Sequence, residues 1–281
     1  MSEHFADDGE FSLLRLVPMV LRARDFRLYT RKQRLVDLWQ NGGAAILGHT
    51  PPSQLRELKN TASRGLYAPI PHFLEDRCVK ALSRIFPDRD IRLYAAPPPG
   101  LEDLVATGNA ALWRPFLEPD APLSVSPNAP PILIPVLPGI QGWRGVKNIH
   151  GETTVALPLG FCVLAIDKHA LAEKTAELPC GPLPPGDFIS PVLLAVAARG
   201  IHDIIAAAPT RPHITKALWG KYSLWQRQGP YLFLKQPEEW AAMFCRFLEA
   251  GFLLPPVPFQ PLILPGTLSP GEEAKLANLL R

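Results

Sequence analysis

RLVDLWQNGGAAILGH, residues 34–49, decides how the chain is read. Leu35 to Trp39 has strand character, with Asp37 expected to face solvent, and Asn41, Gly42 and Gly43 supply a turn. On its N-terminal side, Leu13, Leu14, Leu16, Val17, Val20 and Leu21 fall roughly on one helical face. They predict a short amphipathic helix within Phe11–Arg27, broken at Pro18 and followed by a basic connection. On its C-terminal side, helices are expected over Pro52–Ser63 and His72–Phe86, the second halted by Pro87, with a buried strand over Ile91–Ala95.

Further along, prolines recur every few residues between Ala96 and Gly145. They leave room for one helix near Glu102–Trp113 and a short strand near Ile132–Val136. Val155–Ile166 is apolar enough for buried strand, and Pro191–Ala207 suits a core helix. Tyr231–Lys235 reads as strand, and a helix with Trp240, Phe244, Phe247 and Leu248 on one face ends at Gly251. Short strands follow at Phe252–Leu254 and Leu262–Leu264. Ser269, Pro270 and Glu272 form the capping-box start of a last helix.

With 281 residues, 47% of them hydrophobic, the chain is long enough to fold on its own core without disulfides or metal. Cys78, Cys162, Cys180 and Cys245 form no CxxC pair and have no histidine at zinc-ligand spacing. A net charge of +3 gives no general field for a polyanion, so nucleic acid is not expected as a partner. The basic cluster Arg22, Arg24, Arg27, Arg31, Lys32 and Arg34 reads as a solvated, partly ion-paired face. Val155–Ile166 is too short to span a bilayer, and the acidic opening (Glu3, Asp7, Asp8, Glu10) is unlike a secretory signal; the expected location is the cytoplasm.

The order of these signals resembles the class III pyridoxal-phosphate (PLP) aminotransferases. Residues 34–49, with Leu47-Gly48-His49 and Pro51, are similar to the family's opening strand, Gly-rich turn and Leu-Gly-His-Pro segment. Glu75, Ala81-Leu82 and Phe86-Pro87, then Pro158-Leu159-Gly160, Ser190-Pro191 and the alanine-rich Ala195–Ile204, resemble later family segments in the same order. GFLLPPVPFQPLILPGTLSPGE near the C-terminus resembles the family's small domain. The resemblance implies an α/β, fold-type I PLP-transferase-like architecture with a reduced central (large) domain and a C-terminal α/β small domain. The expected divisions are 1–50, packing on the small domain; 51–207, the reduced large domain; and 208–281, the small domain. It also implies a homodimer.

The same resemblance implies functional residues that are missing here. The family's Schiff-base lysine would fall on Gly151; Lys147, four residues earlier, would serve only after a one-turn realignment and reads otherwise as a loop lysine. The phosphate-binding turn is replaced by Pro97-Pro98-Pro99-Gly100, and proline has no N–H to offer. The family's phosphate-contacting threonine, which reaches across from the partner subunit, corresponds to Gly186, and its substrate-binding arginine falls near Leu262. Asp167 is a candidate for the pyridine-nitrogen carboxylate, although in the family that residue precedes the Pro-Leu-Gly segment.

The expectation is therefore a pseudoenzyme, with no PLP and no metal, that works by self-association or protein binding. The alternatives are a minimal PLP-dependent transaminase using Lys147, or a small-molecule-binding protein using the old cleft. Trp39, Asn41, Gly42, Gly43 and Tyr67 are the candidate pocket. Trp39, Tyr67, Trp113, Trp143 and Trp225 are the candidate aromatic contact area.

Overall fold

The computed structural model describes residues 12–118, 120–139, 142–147, 153–168, 183–209, 224–236 and 239–281. In chain order, a 3-10 turn (Ser12–Leu16) precedes strands β1 (Val20–Arg24), β2 (Arg27–Thr30) and β3 (Arg34–Asp37). A second 3-10 turn (Gln40–Gly43) leads to helices α1 (Pro52–Ala62) and α2 (Leu74–Ser83). Strand β4 (Arg89–Tyr94), helix α3 (Leu101–Ala106) and strands β5 (Ala110–Trp113), β6 (Ile132–Pro135), β7 (Gly142–Lys147), β8 (Thr153–Leu159) and β9 (Cys162–Asp167) follow. Helix α4 (Pro191–Ala207), strands β10 (Trp225–Gln228) and β11 (Tyr231–Leu234), helix α5 (Trp240–Glu249), strands β12 (Phe252–Leu253) and β13 (Leu262–Ile263) and helix α6 (Pro270–Leu279) complete it. These elements form two compact units, Met1–Pro51 with Thr210–Arg281, and Pro52–Pro209.

The first unit joins the two ends of the chain through one hydrophobic cluster. Leu28, Leu35, Val36 and Leu38 pack there with Trp240, Phe244 and Phe247 of α5, Leu262 of β13 and Leu276 of α6. Its larger sheet has the order β1-β2-β3-β12, with β12 parallel to β3 and the other pairs antiparallel; β10-β11-β13 form a second sheet. Gly251, at φ 90°, ends α5 and lets its carbonyl accept from Val36 N, which sets β12 beside β3.

The helix expected within residues 11–27 is instead a 3-10 turn followed by the β1–β2 hairpin. Asp25 at its tip takes φ 50°, and its carbonyl accepts from the His49 N–H at 2.5 Å. A partner 24 positions away thus overrides the local periodicity.

The basic cluster is largely engaged inside this unit. Arg27 of β2 donates twice to Glu272 (2.6 and 3.2 Å), and Arg34 of β3 donates to the same carboxylate at 3.0 Å. Arg22 stacks on Tyr29, 4.3 Å from the ring centroid. Glu272 also completes the capping box of α6 with Ser269, as its spacing predicts.

The second unit is layered. Its sheet has the order β4-β9-β6-β5, parallel only between β5 and β6. In β9, Val163 and Ala165 face one cluster, with α2 and α4, whereas Cys162, Leu164 and Ile166 face a second, with Leu101 and Leu104 of α3. Burial on both faces explains the uninterrupted apolar run. That run is two strands, divided at Gly160 (φ 78°). The helix expected near 102–113 ends at Ala106, because Gly108 turns the chain at φ 74° into strand β5. Helix α4 has the predicted bounds, and its Gly200 passes so close to Pro138 that an added Cβ would lie 2.5 Å from the carbonyl oxygen. Trp113, Trp143 and Trp225 are buried, which corrects their reading as contact area. Among the described residues, no helix is long and apolar enough to cross a membrane.

Burial by itself raises the Glu272 pKa, but the Arg27 hydrogen bond and the Ser269 contacts outweigh it and bring it down to about 2 from an ordinary 4.5. A carboxyl lowered in the folded state adds stability above its unfolded pKa and loses it as pH falls through the folded one. Urea unfolding of the wild type is therefore expected to weaken between pH 4.5 and about 2. Glu272→Gln flattens that dependence and, because solvent screens part of the pairing, lowers stability at pH 7 by on the order of 1–2 kcal/mol.

Candidate functional site

The turn after β3 is organised by a single buried carboxylate. Asp37, only 2% exposed, was expected on the surface; its Oδ1 instead accepts the N–H groups of Trp39 (2.9 Å) and Gln40 (2.8 Å). On the other side, Nε2 of His49 lies 2.7 Å from Oδ2 and donates to it as a ring N–H. One carboxylate thereby fixes both ends of a twelve-residue excursion.

Within the excursion the backbone takes left-handed conformations at Gln40 (φ 49°), Asn41 (φ 48°), Gly42 (φ 66°) and Gly43 (φ 111°). Glycine at the last two positions removes the steric cost, while Gln40 and Asn41 are held there by the surrounding bonds. Gly48 is needed for approach: a Cβ there would lie 3.1 Å from Cα of Asp25. Two glutamines that the sequence did not single out also hold the turn. Gln260 accepts from Trp39 Nε1 at 2.8 Å, and Gln40 donates to the Ile263 carbonyl at 3.1 Å. Among the described residues, Oε1 of Gln40 and Nε2 of Gln260 are buried without a hydrogen bond.

Four of the five candidate pocket residues, Trp39, Asn41, Gly42 and Gly43, thus share one turn. Tyr67 belongs to the other unit, is 64% exposed, and donates its hydroxyl to the Ala62 carbonyl at the end of α1. Asp37 and His49 are the residues sequence reading undervalued; the spacing of Asp before the glycines and His after them was the available signal.

In the second unit, the turn after β4 does not fit a coenzyme phosphate. Pro97–Pro99 bring no N–H groups, and the Leu101 N–H is directed to the Pro98 carbonyl at 3.2 Å. Helix α3 has six residues, and Glu102 and Asp103 place carboxylates in its first turn, where they repel an anion. The adjoining edge of β4 is covered by residues 183–187. Arg92 donates to the Leu183 carbonyl (3.1 Å), Tyr94 to the Pro184 carbonyl (2.8 Å), Asp187 N to the Leu93 carbonyl (2.7 Å), and Ala95 N to the Asp187 carboxylate (3.0 Å). At Gly186 an added Cβ would lie 2.7 Å from the Leu93 oxygen, so the threonine of the resemblance has no room there.

The remaining candidates are equally occupied or outside view. Asp167 ends β9 opposite Arg89, whose guanidinium donates to the Pro130, Pro131 and Ala165 carbonyls. Burial lowers the Arg89 pKa and the Asp167 charge opposes that shift, so Asp167 is a counter-charge to this arginine. Leu262 is fully buried, paired with Leu232 in the β11–β13 sheet. Lys147 has its backbone in β7 across from Thr153; its side chain, Gly151 and Cys180 lie outside the described residues. Burial pushes the Cys78 and Cys162 thiols up to about 12, which removes them as nucleophiles. Among the described residues, no group of three His, Cys, Asp or Glu side chains is placed to hold a metal ion.

No family model matches the chain. It is 28% identical over 284 aligned positions to an uncharacterized protein of Treponema pallidum, covering 90% of this chain and 91% of that one. An uncharacterized protein of Borreliella burgdorferi is 33% identical over 78 residues, 27% of this chain and 29% of that one. Among solved structures, the chain is similar to Plasmodium falciparum ornithine delta-aminotransferase, with a TM-score of 0.59 and 9% identity, over 99% of this chain and 94% of that one. N-acetylornithine aminotransferase from Stenotrophomonas maltophilia aligns with a TM-score of 0.55 and 14% identity, over 96% and 97%. The protein therefore has the α/β fold of the PLP-dependent aminotransferases. At these identities the likeness concerns the fold alone.

Replacing Asp37 by Ala leaves two backbone N–H groups and an imidazole without their acceptor. It is expected to cost about 3–5 kcal/mol in urea unfolding. His49→Ala, at a ring 19% exposed, is expected to cost less, about 1–2 kcal/mol. Equal, small effects from both would contradict a carboxylate-centred turn.

Proposed function

We propose that the protein is a class III aminotransferase relative that has lost transamination and acts in the cytoplasm by self-association or by binding another protein. One observation carries this reading. The turn where the fold family would grip a phosphate offers three prolines and two carboxylates, and Gly186, closed against Leu93, has no room for the threonine that would reach a partner subunit's phosphate. No amine and no ring of N–H donors converge there among the described residues.

Binding, the positive half of the reading, is supported by the connection between α1 and α2. Tyr67, Ile70 and Phe73 expose 64%, 46% and 62% of their surface within seven residues. Large apolar side chains clustered on a surface are a common basis for association. The fold's relatives and the sequence resemblance make a homodimer the first candidate.

The test of lost chemistry is spectroscopic. Purified protein mixed with pyridoxal phosphate is expected to give no stoichiometric imine band, and borohydride is expected to fix no coenzyme on the Lys147 peptide. A band that reduction locks onto Lys147, and that Lys147→Ala abolishes, would establish the alternative of a minimal transaminase. Light scattering tests the binding half: a dimer that Tyr67→Ser with Ile70→Ser shifts to monomer is expected, and a strict monomer would count against self-association.

A further inference from the structure

Helix α2 presents one stripe, Phe73, Asp76, Arg77, Lys80 and Arg84, at the three- and four-residue spacing that places side chains on one helical face. With His202 of α4 this stripe lines an open, solvent-facing cavity of about 420 Å³. Three permanent cations and one carboxylate thus face the same space. Their partners are poor. Arg77 reaches Glu57 only at 3.9 Å, and among the described residues Lys80 and Arg84 have no carboxylate within ion-pair distance.

Among the described residues, the Arg84 guanidinium donates from Nη1 to Nδ1 of His202 at 3.3 Å, which makes that nitrogen an acceptor and the imidazole neutral. A neutral ring is a weak partner for a guanidinium, whose fork matches an oxyanion. The environment of His202 agrees with this assignment. Burial lowers its pKa first, then Arg84 and Arg77 from α2 and Arg199 on its own helix, with Asp203 opposing them. At the opposite end of the stripe, the exposed ring of Phe73 lies 4.5 Å from that of His72 and gives the cavity an aromatic rim.

We infer that this cavity binds a small aromatic or apolar phosphate-type dianion, its oxyanion held by Arg84, Lys80 and Arg77 and its ring set against Phe73. The site lies wholly in the second unit and does not depend on whether transamination has been lost. Oxyanion binding replaces the imidazole as the Arg84 partner and places negative charge beside His202, so the ring takes up a proton more readily in the complex.

Phenyl phosphate is the direct probe, titrated into the full chain by calorimetry and by NMR of the imidazole signals, with His202 assigned from its loss in His202→Gln. Saturable binding is expected, together with a rise in the His202 titration midpoint. Arg84→Ala and Lys80→Ala are each expected to weaken binding by about tenfold or more. Arg64→Ala, which removes one charge from the same unit near the end of α1, is expected to leave affinity within about twofold. Inorganic phosphate is expected to bind the same site more weakly, for want of the ring. The inference is overturned by no saturable binding of phenyl phosphate at millimolar concentration, by equal weakening in Arg64→Ala, or by a His202 signal that ignores the ligand. Tight binding of a poly-glutamate peptide without binding of phenyl phosphate would also overturn it, in favour of an acidic protein partner. Unchanged thermal melting of the two cavity variants without ligand separates a lost site from a lost fold.

Discussion

The carbonyl oxygen of Leu93 fixes what the end of strand β4 can do. It accepts the Asp187 N–H at 2.7 Å, and it stands where any side chain at residue 186 would begin. Strand β4 is at the edge of its sheet, and an uncovered edge is a template for unwanted pairing. Residues 183–187 cover it with backbone and carboxylate contacts that require Gly186.

The prolines act on the same region from the other side. Three in succession bring no N–H groups to the turn before α3, and the short helix carries its own carboxylates in the first turn. With the positive end of the helix already offset, a coenzyme phosphate would meet repulsion there. Asp37 does the opposite for the first unit. A single carboxylate accepting two amides and an imidazole preserves the turn that the resemblance begins from.

Legibility followed the range of the interactions that decide each element. Helix α4, the capping box at Ser269 and Glu272, and the end of α5 at Gly251 were readable because their signals lie within a few residues of one another. The β1–β2 hairpin was not, since its tip is fixed by His49 far along the chain, while its leucines imitate a helical face. Strand β5 was hidden in a helical reading because it exists only by pairing with β6, across the proline-rich segment. For the site, position alone singled out Gly186, where the structure leaves no room for a side chain. That Asp37 is buried, and that Asp167 balances Arg89, depended on neighbours no local pattern names.

The most direct measurement is an amide NMR titration of the protein with pyridoxal phosphate, followed at Gly100, Leu101, Gly186 and Asp187. Resonances that stay in place as coenzyme is added are the expected result, because the Leu101 and Asp187 amides are tied to the Pro98 and Leu93 carbonyls and Gly186 is closed against Leu93. Saturable shifts at these four positions would mean that the turn receives a phosphate after all, and the loss of the coenzyme site would be contradicted.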